Sequence, residues 1–82
     1  MKREIKIIGI QPYETKINDN VYVGTRYHYI YKEDYIEGNG CGSFKVPYRR
    51  YNEFPNIHVG DEYKYYFERT DNGERPDDLV QF

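Results

Sequence analysis

The chain has 82 residues, a formal net charge of −2, eleven tyrosines, no tryptophan and a single cysteine. At this length one domain with a thin core is expected, because so short a chain buries only about 60–65% of its unfolded surface. The charge disfavours nonspecific phosphate attraction as a way of life, one thiol excludes an intrachain disulfide framework, and no apolar run approaches the roughly 20 residues of a membrane span.

Lys2 to Ile10 reads as a first strand with apolar residues on both faces, Ile5 and Ile7 on one and Ile8 and Ile10 on the other. Gln11-Pro12 is expected to end it, since proline cannot donate to a ladder. Asn18-Asp19-Asn20 is a turn signal. Val21 to Lys32 is a long second strand, with Val21, Val23, Thr25, Tyr27, Tyr29 and Tyr31 on one face and Tyr22, Gly24, Arg26, His28, Ile30 and Lys32 on the other. Gly24 inside it predicts a bulge or bend. Gly38-Asn-Gly-Cys-Gly42 reads as a flexible hairpin tip, and Ser43–Val46 as a short third strand. Between Pro47 and Pro55, the aromatics Tyr48, Tyr51 and Phe54 recur every three residues, which predicts a helical turn. A Val59-Gly60-Asp61 turn then leads to a fourth strand, Glu62–Arg69, with Tyr63, Tyr65 and Phe67 opposite Lys64, Tyr66 and Glu68. Asp71-Asn72-Gly73 can make a type I′ turn, and Leu79–Phe82 a short fifth strand. The order predicts a small all-β protein, a five-stranded antiparallel barrel of OB-like type, with an SH3-like barrel as the alternative.

The aliphatic supply is too small to fill such a core, so rings must carry much of the burial at about 25 cal/mol per Å² of apolar surface. Tyr27, Tyr29 and Tyr31 with Tyr63 and Tyr65 are the expected core walls. Tyr22, Tyr48, Tyr51 and Tyr66 are left free to touch a ligand.

No nucleophile motif, calcium loop or phosphate-cradling glycine motif is present, so neither enzyme activity nor a cofactor or metal is expected. The acidic groups Glu33, Asp34, Glu37 and Asp71, Glu74, Asp77, Asp78 read as solvated turns. Binding is the better prospect. Arg26, His28 and Lys32 share a strand face with Tyr22, and Arg49 and Arg50 sit between Tyr48 and Tyr51; cations beside flat rings are how OB folds hold single strands. The same tyrosines and arginines suit a protein interface. Long tyrosine-rich strands with open edges also suit self-association.

Val46-Pro47, then Tyr51-Asn-Glu-Phe54, then Val59-Gly60-Asp61-Glu-Tyr63-Lys-Tyr65-Tyr66-Phe67 with Gly73 beyond, resembles small β proteins of Gram-positive phages and mobile elements. The resemblance covers the C-terminal half and implies an accessory intracellular role without catalytic residues. With the single thiol and no leader segment, the expected compartment is the cytoplasm, that of the host cell if phage-encoded. The expected function is a non-enzymatic interaction module with a protein partner, such as an inhibitor of a host or defence protein. Single-stranded nucleic acid is the alternative ligand and a homo-oligomer the third.

Overall fold

The computed structural model describes residues 1–82. The chain forms β1 (Lys2–Ile17), β2 (Asn20–Tyr31), β3 (Gly40–Pro47), a 3-10 helix (Tyr48–Glu53), β4 (Glu62–Thr70) and β5 (Gly73–Gln81). All strand pairs are antiparallel, in one sheet of order β3-β2-β1-β4-β5. The outer strands β3 and β5 are not hydrogen-bonded to each other, so the sheet is open rather than a closed barrel. No helix is long and apolar enough to cross a membrane.

The core is a cluster of rings and aliphatics on one face: Ile5, Ile7, Tyr29, Phe44, Val46, Tyr63, Tyr65, Phe67 and Leu79. Phe44 stacks on Tyr65 and Tyr65 on Phe67, both with centroids 4.6 Å apart, while Tyr29 meets Tyr65 edge-on at 5.5 Å. Such pairs add about 0.5–1.5 kcal/mol each beyond the area they bury. Tyr29, Tyr63 and Tyr65 are buried as expected; Tyr27 and Tyr31 are half-buried and pack against the cluster.

Three tyrosines lie across glycines on the neighbouring strand, in the pairs Tyr13–Gly24, Tyr29–Gly42 and Tyr31–Gly40. A Cβ at Gly42 would stand 2.5 Å from the Tyr29 hydroxyl oxygen, and one at Gly24 just as close to that of Tyr13. Glycine is therefore required by the ring above it. This corrects two expectations. Gly40 and Gly42 belong to β3 rather than to a hairpin tip, and Gly24 is a site of close approach with unbroken pairing, not a bulge.

The bulge sits in β1, where Ile7 pairs with Tyr29 and Gly9 with His28, leaving Ile8 as the extra residue. It moves Ile10 onto the core side of the sheet, opposite Tyr27. Pro12 does not end β1 either. From Gly9 onward β1 has only β2 beside it, so a proline removes no donor that a second neighbour needs. Beyond Gly24, β1 and β2 project as a two-stranded arm, closed by Asn18 and Asp19 with φ of 50° and 67°, the left-handed pair a type I′ turn demands. At the other hairpin Gly73 alone has positive φ, so Asp71-Asn72 does not make the expected type I′ turn. β5 starts at Gly73 instead of Leu79 because Arg75 and Pro76 also pair with β4, with Asp77 as the bulged residue.

The Val59-Gly60-Asp61 turn completes the β1 ladder. Gly60 N donates to Ile7 O at 2.8 Å and Ile7 N to Asp61 O at 2.9 Å. The Asp61 carboxylate accepts from His58 N and from the Tyr63 hydroxyl, both at 2.9 Å, and these bonds hold it below the ordinary carboxylate range.

Candidate ligand face

Strand alternation and the register of β1, β2 and β3 define the sheet face opposite the core. From the arm to just past the bulge, β2 contributes Tyr22, Gly24, Arg26, His28 and Ile30 to it. β1 adds Gln11 opposite Arg26, Tyr13 opposite Gly24 and Thr15 opposite Tyr22. β3 adds Cys41, Ser43 and Lys45 opposite Ile30, His28 and Arg26. No carboxylate stands among these side chains, although acidic residues outnumber basic ones in the chain, 14 to 12; on the same face Glu4 lies past the bulge, beside Ile30.

The face is ordered by its own contacts. Arg26 Nη1 donates to Ser43 Oγ at 3.1 Å, and His28 Nε2 lies 3.0 Å from Gln11 Oε1. Lys45 Nζ stands 5.3 Å from the centre of the Tyr13 ring. Burial raises the Tyr13 pKa, helped by Tyr51 and opposed by Arg49 and Arg26, so both guanidinium groups act on that hydroxyl.

The 3-10 helix borders this face at its Pro47 end. Its Tyr48 and Tyr51 rings lie 5.2 Å apart, and the Tyr51 hydroxyl is 2.6 Å from Thr25 Oγ1, on the core side of the sheet. Tyr48, 69% exposed, is the freer ring. Arg50 is committed: it is bidentate to Glu53 and donates to Pro76 O at 2.8 Å, stitching the helix to β5. Arg49 is exposed. Beside Tyr51, a hollow of about 280 Å³ is lined by Tyr27, Val46, Phe54, Pro55 and Ile57.

The nine residues singled out from the sequence thus do not form one site. Tyr22, Arg26 and His28 share the face. Lys32 lies past the end of β2, in a concavity with Glu4 and Glu62. Tyr66 is on β4, paired with Lys2 and Asp78. Tyr48, Arg49, Arg50 and Tyr51 sit on the bordering helix. Gln11 and Tyr13 were missed because their place on this face follows only if the strand runs through Pro12. The free thiol of Cys41 is exposed. No group of three or more His, Cys, Asp or Glu side chains lies together as a set of metal ligands.

No family model, curated protein or solved structure matches this chain.

Proposed function

We propose that this protein is a non-enzymatic binding module that holds single-stranded nucleic acid on the outer face of β1, β2 and β3. The observation that carries the reading is the stretch of this face, from Gln11 to Thr15 on β1 and from Tyr22 to His28 on β2, where Arg26, His28 and Lys45 stand with Tyr13 and Tyr22 and no carboxylate lies among them. Cations track a phosphate backbone there, and rings offer flat surfaces to unstacked bases. In this reading the open five-stranded sheet is an OB-like barrel left unclosed between β3 and β5. The test is titration of a labelled oligothymidylate at rising salt. Binding that weakens steeply with salt is expected, and Tyr22→Ala should cost about 1–3 kcal/mol if a base stacks on that ring. Absence of binding at low salt overturns the reading.

A protein partner is the second reading, as for an intracellular inhibitor from a phage or mobile element. It is favoured by the arm, where Ile17, Val21, Tyr22 and Val23 are all exposed, and by the hollow beside Tyr51, where rings stand with Asn56 and His58. Pull-down with the folded protein as bait checks it, and recovery of no partner counts against it. Self-association is the third and weakest. Its route by edge pairing is hindered in β1, where Pro12 interrupts the donors of the open edge.

A further inference from the structure

Between the 3-10 helix and the β4–β5 hairpin runs an open groove of about 550 Å³ lined by Lys45, Pro47, Arg49, Arg50, Glu53, Thr70, Asn72, Glu74, Arg75 and Pro76. No apolar side chain faces it except the prolines, so it is not an unfilled part of the core. Four cations line it against two carboxylates, and neither carboxylate is free. Glu53 is held by Arg50, and Glu74 turns inward to accept from the Tyr29 and Tyr65 hydroxyls. Arg75 has only a 4.0 Å contact with Asp77, while Lys45 and Arg49 make no ion pair. With Arg50 paired to Glu53 and Glu74 engaged from the core side, the groove keeps Lys45 and Arg49 without an ion pair and Arg75 with only a long one.

Lys45 belongs both to this groove and to the outer face. The two surfaces are continuous around the unpaired edge of β3, which is the edge a closed barrel would have covered. We infer that the groove is a phosphate channel: a single strand lying on the outer face turns over the β3 edge at Lys45, and its backbone enters the groove between Arg49 and Arg75. This inference rests on the nucleic-acid reading above and extends it. The outer face offers rings for bases, whereas the groove offers none and holds phosphates alone.

The decisive experiment compares Arg49→Ala/Arg75→Ala with Lys2→Ala/Lys16→Ala, a pair that removes the same charge from exposed positions outside the groove, Lys2 opposite Tyr66 at the far end of β1 and Lys16 in the arm. The probe is an oligothymidylate of about 16 nucleotides, the upper end of the span one OB-type fold occupies. Each lost phosphate contact should reduce the slope of log K against log salt by about 0.7 for a single strand. The groove variant should thus lose about 1.4 in slope, and the control much less. Equal slopes in the two variants, with wild-type binding intact, overturn the channel and leave the outer-face reading standing. No binding by the wild-type protein defeats both. An oligoglutamate peptide bound as tightly as the oligonucleotide, and lost equally in the groove variant, would make the groove a site for acidic peptide and also overturn the proposal.

Discussion

The Tyr29 hydroxyl donates to Glu74 Oε1 at 2.6 Å, joining β2 to β5 across the core side of the open sheet. Tyr65 donates to the same oxygen at 3.1 Å from β4, and Arg3 of β1 stands 3.5 Å from the second carboxylate oxygen while donating to Tyr29 at 3.1 Å. The Arg3 guanidinium also lies 4.1 Å from the centre of the Tyr31 ring. Four strands thus meet at one carboxylate. It fastens β5 where no ladder to β3 does so, and these contacts engage both oxygens of a carboxylate that borders the cationic groove.

Replacing Glu74 by Ala leaves two inward-facing tyrosine hydroxyls without their acceptor and Arg3 without its ion pair. A loss of about 2–4 kcal/mol is expected, from the cost of unsatisfied polar groups and of a broken, largely desolvated pair. Urea unfolding monitored by far-UV circular dichroism checks this. A loss no larger than that of an exposed carboxylate such as Glu68→Ala would mean the network is incidental.

The buried hydroxyls also predict alkaline lability. Burial, then hydrogen bonding to Glu74, raises the Tyr29 pKa; burial, then the charge of Glu74, raises that of Tyr65; burial and Asp61 push Tyr63 up to about 12. These values lie above the unfolded value of about 10, so the stabilisation is fully present below pH ~10. As pH rises further the unfolded chain ionises first, and stability falls by about 1.4 kcal/mol per pH unit for each such group until the folded value is passed. Tyrosinate absorbance should show Tyr29, Tyr63 and Tyr65 ionising only well above the ordinary tyrosine value or on unfolding. A single transition of all eleven tyrosines near their ordinary value, with the fold intact, would contradict this.

Gly42→Ala should destabilise the protein by about 1–3 kcal/mol, the usual range for forcing a methyl group into a packed core, because the Tyr29 ring occupies the space. Displacing that ring also lengthens its bond to Glu74. Gly38→Ala is the contrast: a Cβ there meets nothing within 4 Å, and its cost of about 1–2 kcal/mol would come from backbone φ of +85° alone. Thermal unfolding of the two variants, with near-UV circular dichroism for the tyrosines, separates steric from backbone effects. Gly42→Ala no worse than Gly38→Ala would show that the ring simply moves aside.

Local pattern was enough for much of this protein. Alternation alone placed Tyr29 on the face of β2 and Tyr63, Tyr65 and Phe67 on the face of β4 that became the core, and the three-residue spacing of Tyr48, Tyr51 and Phe54 marked the 3-10 helix. It also separated Tyr22, Tyr48, Tyr51 and Tyr66, all of which are exposed, from the buried rings. These features depend on neighbours within a few residues, where strand and helix periods act.

Tertiary structure decided the rest, because the deciding contacts join residues far apart in the chain. Pro12 is tolerated because β4 stops pairing with β1 at Lys6. Gly40 and Gly42 enter a strand because tyrosines from β2 lie over them, and Glu74 faces inward because Arg3, 71 residues earlier, meets it there. A turn signal or a solvated carboxylate reads the same in sequence whether or not such a partner exists. For the same reason the candidate site emerged only when register brought Gln11, Tyr13, Arg26 and Lys45 from three strands onto one face.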